Sequence, residues 1–265
     1  MTTSVPKITV VTPSYNQAVY IEGTILSVIE QDDPNLEYIV IDGGSTDGTV
    51  QILERFDDAI DYWVSEPDRG QSDAINKGFS RSTGDILCWL NSDDQLEPRG
   101  LAVVREAFAD AEVDIVVGHC RFRYEVSATE QILRGEFVSR DRIVQYWRGY
   151  RMHQPAIFWR RSVYEAIGGV KPDEHLLMDV DYWFRMADAG FNFRNVDAVL
   201  ATATYHGDAK TGDGYRAVHS ALREYVPRAL GIRPHSLRWA TVQFVMQLHR
   251  MVNWIRRRRR VEDLR

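Results

Sequence analysis

Three short polar runs carry the residue types that could do chemistry: Thr12-Pro13-Ser14-Tyr15-Asn16, Asp42-Gly43-Gly44-Ser45-Thr46-Asp47-Gly48 and Asn91-Ser92-Asp93-Asp94. The last is the most informative. Hard divalent cations such as Mg2+ and Mn2+ take carboxylate and phosphate oxygens together. Adjacent carboxylates at Asp93 and Asp94 in a tight turn therefore fit a cation that also holds a diphosphate, where it would offset the charge developing on a leaving nucleotide. A single Asp at such a place is as often a turn residue or helix cap. Three runs at one edge of a sheet are harder to explain in that way.

The elements that must position these runs follow from periodicity. Ile8–Thr12 reads as a buried strand, Tyr38–Ile41 and Asp61–Ser65 as the next two, and Asp85–Leu90 as a fourth, continuous enough in apolar residues to be buried on both faces. Helical patterns over 19–31, 49–55 and 72–81 alternate with them, which predicts a mostly parallel sheet flanked by helices. In such sheets ligands bind beyond the carboxyl ends of the strands, where the polar runs fall. After Val117 the pattern loosens. Arg121–Tyr124 and Ala156–Trp159 read as further strands, 142–147 as a helical stretch, and 178–189 as a helix stopped by Gly190.

Composition bounds the rest. A chain of 265 residues, 44% hydrophobic and 26% charged, suits one large α/β domain. Cys88 and Cys120 lie in strands without His or Cys at ligand spacing, as structural thiols of a reducing compartment do. The net charge of −6 is uneven: from Arg233 onward nine arginines face two acids, so this segment carries +7 and leaves −13 on the body. An acidic body argues against nucleic acid as a partner, while the tail suits an anionic surface. That tail spaces Leu237, Phe244, Leu248, Met251 and Ile255 close to a helical face before the run Arg256 to Arg260. The expected organisation is a domain over 1–231 and a basic amphipathic helical tail over 232–265. The tail meets either a membrane surface or protein. No leader pattern precedes Lys7 and no apolar run reaches the roughly 18 residues of a span, so the expected place is the cytoplasm, at the inner face of the membrane. No Gly-x-Gly-x-x-Gly follows the first strand, which argues against a dinucleotide dehydrogenase. A nucleotidyltransferase would need a Gly-rich loop where Thr12–Asn16 stands.

The ordered set of motifs resembles the inverting glycosyltransferases of family 2, in their exopolysaccharide and glycolipid branch. It comprises Thr12–Asn16, Val40–Thr49, Asp68-Arg-Gly-Gln-Ser-Asp-Ala-Ile-Asn-Lys-Gly78, Gly84–Asp94, His153–Arg160, Met178-Asp-Val-Asp-Tyr-Trp183 and His206–Thr211. The resemblance covers Lys7 to Thr211 and implies a GT-A type nucleotide-binding fold, a nucleotide-sugar donor and a divalent metal, Mn2+ or Mg2+. Thr12 and Asp42 would line the base and ribose pocket, with Pro13, Tyr15, Gly44, Asp68, Gln71, Asn91 and Ser92 completing the donor side. Asp93 would bind the metal, His206 would reach the metal or the diphosphate, and Lys210 would assist by charge. Asp179 matches the position of the catalytic base, with Asp181 as its competitor. His153, Gln154, Asp181 and Trp183 fall on the acceptor side, a glycan or lipid-linked hydroxyl. For His153 a structural role competes, for Gln154 a loop-shaping one, and for Trp183 simple packing.

This sequence departs from the family pattern at three places. Gly43 stands where a second Asp is usual, removing a common nucleobase contact and leaving the base unassigned. Asn91 opens the metal triplet without charge, and Met178 replaces a Glu. These departures support an alternative, a catalytically inactive nucleotide-sugar-binding scaffold. Asp93, Asp179 and His206 argue for turnover, and metal-dependent hydrolysis of a nucleotide sugar would separate the two.

Overall fold

The computed structural model describes residues 5–174, 176–207 and 215–262, and the expectation for Lys210 falls outside them. The elements run β1 (Ile8–Ser14), α1 (Ile21–Ile29), β2 (Leu36–Asp42), α2 (Thr49–Arg55), β3 (Tyr62–Ser65), α3 (Gln71–Arg81), β4 (Ile86–Trp89), β5 (Gln95–Leu96) and α4 (Gly100–Ala107). The second half follows with β6 (Ile115–Tyr124), β7 (Thr129–Leu133), α5 (Arg140–Val144), β8 (Ile157–Arg160), α6 (Arg161–Ile167), α7 (Met178–Asp188), β9 (Phe193–Tyr205), α8 (Tyr215–Ala229) and α9 (Leu237–Glu262).

One sheet runs in the order β3-β2-β1-β4-β8-β6-β9-β5, with β7 beside β6. Its first four strands pair in parallel, joined by the crossover helices that the alternating pattern predicts. From β8 onward the sheet is mixed: β8 runs antiparallel to β4 and β6, while β6 and β9 are parallel. Strands β1 and β4 are buried along their whole lengths, which is why β4 reads as an unbroken apolar run and β1 as a β-branched one through Thr12. Helix α3 approaches β1 closely because of Gly78, where a Cβ would stand 2.3 Å from Val11 Cγ1.

The core between β4, β8 and α7 is aromatic. Trp89 stacks on Trp183 at 5.2 Å with planes 8° apart, and Trp159 meets both edge-on at 5.5 Å. All three are fully buried. Aromatic pairs of this kind contribute about 0.5–1.5 kcal/mol beyond area burial. Cys88 and Cys120 are buried free thiols, and burial pushes both well above the usual thiol range.

The structure corrects the looser second half. The segment 121–124 is the end of a ten-residue strand, β6, not a short strand of its own. The helical stretch at 142–147 divides into α5 and a 3-10 turn over Tyr146–Arg148. Strand β9, thirteen residues long, has no counterpart in the sequence reading. Its first half is largely exposed and carries Arg, Asn and Asp, so neither a buried run nor clean alternation marks it. Among the described residues no helix is long and apolar enough to cross a membrane.

Candidate active site

Strands β1, β2 and β4 bring the three polar runs to one edge. Ser14 pairs with Asp42, Val11 with Trp89, and Leu90 N–H donates to the Val11 carbonyl at 2.9 Å. The first two runs are laced together. Asn16 N–H donates to Ser45 Oγ at 2.7 Å, Thr46 N–H to Asn16 Oδ1 at 2.9 Å, and Ala18 N–H to Asp47 Oδ2 at 2.9 Å.

Asp42 has a different task from the one the resemblance implies. It is fully buried, and its oxygens accept from Gly44 N–H, Ser45 N–H and the hydroxyls of Ser45 and Ser65. Its carboxylate therefore shapes the loop from beneath. Gly44 sits at φ +85°, which a glycine adopts without strain. Thr12 is buried as well and accepts from the Tyr38 hydroxyl at 3.2 Å, and Pro13 is buried beside it. Tyr15, 61% exposed, is the member of that run open to a ligand.

The acidic turn after β4 splits into unlike halves. Asp94 is buried: its Oδ1 accepts from Thr204 N–H of β9 at 3.1 Å, and the Thr24 hydroxyl of α1 donates to its carbonyl at 2.7 Å. Burial, and then the charge of Asp93, push its carboxyl well above the usual range. Asp93 is half-buried, and its Oδ2 lies 3.0 Å from His206 Nε2. His206 follows β9, is itself buried, and stacks on Tyr20 with ring centres 4.3 Å apart. Its Nδ1 is buried without a hydrogen-bond partner. Nothing in the periodicity around Tyr20 signals this stacking.

Asn91 is the hub of the turn. Its Oδ1 accepts from Gln71 Nε2 at 2.7 Å, and its Nδ2 donates to Asp94 Oδ2 and to Gln154 Oε1, each at 3.1 Å. Gln154 Nε2 in turn donates to the Trp89 carbonyl at 2.6 Å. A carboxylate at 91 could make neither donation and would face Asp94 charge to charge, so the amide suits this network. Gln154 thus braces the strand end. Ser92 is buried within the turn.

Helix α7 is tied to the same edge. The Ser72 hydroxyl donates to Met178 Sδ at 3.3 Å, next to the Gln71 that holds Asn91. Asp179 lies in the first turn of α7, one turn before Trp183, whose indole stacks on Trp89 of β4. Its Oδ1 accepts from Val180 N–H at 2.8 Å. Burial raises the Asp179 carboxyl above its usual value, outweighing these hydrogen bonds. The Tyr150 hydroxyl faces it beyond ordinary hydrogen-bond geometry.

Asp181 points elsewhere. It is buried and accepts from Lys171 at 3.0 Å, Arg185 at 2.8 Å and the Tyr225 hydroxyl of α8 at 3.1 Å. These partners use it as a structural anchor, not as an acceptor contact. Trp183 is likewise fully buried between Trp89 and Trp159, so it is core and not a platform for a sugar. His153 is buried against Phe122 and Tyr150, with its Nε2 unpartnered, and burial lowers it to about 4.

A family model for glycosyl transferase family 2 matches residues 9–168. An uncharacterized glycosyltransferase of Mycobacterium tuberculosis is 33% identical over 196 residues, which span 70% of this chain and 70% of that protein. A Campylobacter jejuni GalNAc(5)-diNAcBac-PP-undecaprenol beta-1,3-glucosyltransferase is 31% identical over 130 residues, 48% of this chain and 42% of its own. The mannosyltransferase of Pyrobaculum calidifontis, solved in complex with GDP-Man and Mn2+, superposes with a TM-score of 0.60 at 21% identity, covering 91% of this chain and 79% of that one. The structural likeness shows a GT-A type fold. The chain belongs to glycosyl transferase family 2 and is a glycosyltransferase.

Proposed function

We propose that the chain transfers a hexosyl unit from a nucleoside-diphosphate sugar to an acceptor hydroxyl with inversion, in the building of a polysaccharide or glycolipid. The observation that supports this reading is the tie between the acidic turn and α7. Asn91 accepts from Gln71, and Ser72 donates to Met178, the neighbour of Asp179, whose carboxyl burial raises.

Among the described residues no group of three or more His, Cys, Asp or Glu is gathered for a metal. Asp93 and His206 supply two donors, one oxygen and one nitrogen, 3.0 Å apart. That fits a divalent cation completed by phosphate oxygens and water, as Mg2+ sites commonly are. Bound there, the cation would supply charge to the departing diphosphate. Tyr20 holds the imidazole in place by stacking, and Asn91 with Asp94 fixes the turn that carries Asp93.

Asp179 takes the proton of the attacking hydroxyl. Its raised carboxyl stays basic enough for that work, while the positive end of α7 favours the charged form the base needs. Attack from the face opposite the diphosphate inverts the anomeric centre in one displacement. The test is the Asp179→Asn variant, which should keep donor binding and lose transfer. A product of retained configuration would refute the mechanism.

A lipid-linked acceptor suits the tail over 232–265. Helix α9 packs on the body through Met246 and Gln243, which bonds Arg223 of α8. Leu237, Phe244, Leu248 and Met251 stay exposed on the other face, ahead of the run Arg256 to Arg260. An apolar face beside basic residues matches an anionic bilayer surface, and the Campylobacter relative's name specifies an undecaprenol-linked acceptor.

A further inference from the structure

Gly43 is a glycine for reasons of space and not of backbone conformation. Gly44 beside it has a positive φ, whereas Gly43 does not. A Cβ at 43 would lie 2.9 Å from Asp68 Oδ2, 3.1 Å from its Cγ and 3.3 Å from its Oδ1. One carboxylate makes all three contacts. We infer that Asp68 reads the nucleobase of the donor, its carboxylate filling the space a side chain at 43 would occupy and selecting bases that present a ring N–H.

The loop after β3 aims Asp68 at this place. Glu66 N–H donates to the Asp42 carbonyl at 3.0 Å, and Gly70 N–H donates to Asp68 Oδ1 at 2.7 Å. Oδ2 is the oxygen left over the Gly43 backbone, whose N–H is spent on the Ser14 carbonyl at 2.8 Å. Asp42 lies directly beneath with its oxygens engaged by its own loop and Ser65, so the carboxylate offered to a ligand at these strand ends is Asp68, which is half-buried. Beside it, the buried Ser14 Oγ has no partner, and Tyr15 offers an exposed ring.

The position suits a base for reasons of span and chemistry. Two strand spacings, about 10 Å, separate the end of β2 from the end of β4. A nucleoside diphosphate laid along the strand ends would then put its diphosphate at Asp93 and its base at Asp68. An ionised carboxylate only accepts hydrogen bonds. Uracil, thymine and guanine each present a ring N–H to it, whereas cytosine N3 and adenine N1 present a lone pair and are repelled.

This inference rests on the nucleotide-sugar donor proposed above, and the experiment separates the two. Dissociation constants are measured for UDP, GDP, CDP and ADP with Mn2+, on the full chain and its variants. Asp68→Ala should weaken UDP or GDP by about 10- to 100-fold, the scale of a lost hydrogen bond to a charged group, and erase the preference over CDP. Asp68→Asn can still accept from Gly70 and can donate to cytosine N3, so it should shift the preference toward CDP. Gly43→Asp alone should lose binding by crowding Asp68, and the double variant Gly43→Asp, Asp68→Gly should recover the wild-type base preference. An unchanged preference in both Asp68 variants, or a double variant no better than Asp68→Gly, overturns the assignment while leaving the donor class intact. Failure of the unaltered chain to bind any of the four overturns both.

Discussion

The strand ends of β1, β2 and β4 are held by hydrogen bonds between polar side chains and loop backbone, while α7 is held by stacked indoles and a buried ion-pair cluster. On the nucleotide side nearly every polar group named above has a partner, so the loops are set before a ligand arrives, and ordering them costs little on binding. On the α7 side Asp179 accepts from its own helix backbone at Val180. There it is desolvation, not that partner, that tunes the one carboxyl proposed to do chemistry. The contrast teaches that position is specified by polar lacing at one end of the site, and basicity by exclusion of water at the other.

The sharpest way to break this contrast is Asp179→Asn. Transfer should fall by about 10² to 10⁴, the usual worth of a general base, with nucleotide affinity unchanged. In the unaltered chain the rate should rise with pH through a limb above the ordinary carboxylate range, because the base must lose its proton first and burial raises that proton's affinity. A pH profile of kcat checks both, and the limb should vanish in the variant.

Asp93→Ala tests the other end. Titration calorimetry should show Mn2+-dependent binding of a nucleoside diphosphate weakened more than about 100-fold, since even supporting groups around metals are worth 10- to 100-fold. Metal-free binding and the melting temperature should barely move. A metal dependence that survives intact would remove Asp93 from the site.

His153 sharpens the point about apolar burial through stability. It is held near 4 when folded and titrates near 6.5 when unfolded, so the unfolded chain takes up a proton that the folded chain refuses. Its contribution is complete above about pH 6.5 and falls as pH drops toward 4, by up to ~3 kcal/mol. Denaturant midpoints across that window should follow this slope, and His153→Phe should flatten it.

Asp181→Ala should leave Lys171 and Arg185 without their shared acceptor. Removing one partner of a buried pair costs about 3–5 kcal/mol, and the half-exposed Lys171 reduces this to roughly 2–3 kcal/mol here. A loss of stability with kcat retained, once folded, would confirm an anchor. Loss of kcat without loss of stability would return Asp181 to the chemistry. The smallest effect belongs to the tail. Phe244→Ser with Leu248→Ser should lower sedimentation with anionic liposomes, and salt should weaken what remains, at about 1 kcal/mol per basic residue near the surface.

The first half of the fold was legible because parallel strands buried on both faces favour apolar and β-branched residues, which dominate β1, β2 and β4. The polar runs were legible because they interrupt the apolar pattern, and Thr12 to Ser14 and Asp42 form the closing residues of β1 and β2. Motif order pointed to Asp93, His206 and Asp179. It could not tell Asp93 from Asp94 by environment, because the difference is made by Thr204 and Thr24, distant in sequence. Asp42 and Asp68 show the same limit. Both look like ligand carboxylates in a string of letters, yet one is spent on its own loop and the other fills the space over Gly43. Strand β9, which carries His206 to Asp93, left no periodic trace because its first half mixes exposed Arg194, Asn195 and Asp197 with half-buried residues. Sequence by itself determined which residues could bear charge, bend the chain or fill a core, since those are properties of single side chains and their local spacing. Which carboxylate meets water, which meets a cation and which is consumed within was decided only by tertiary structure, because burial and hydrogen-bond partners are supplied by residues far away along the chain.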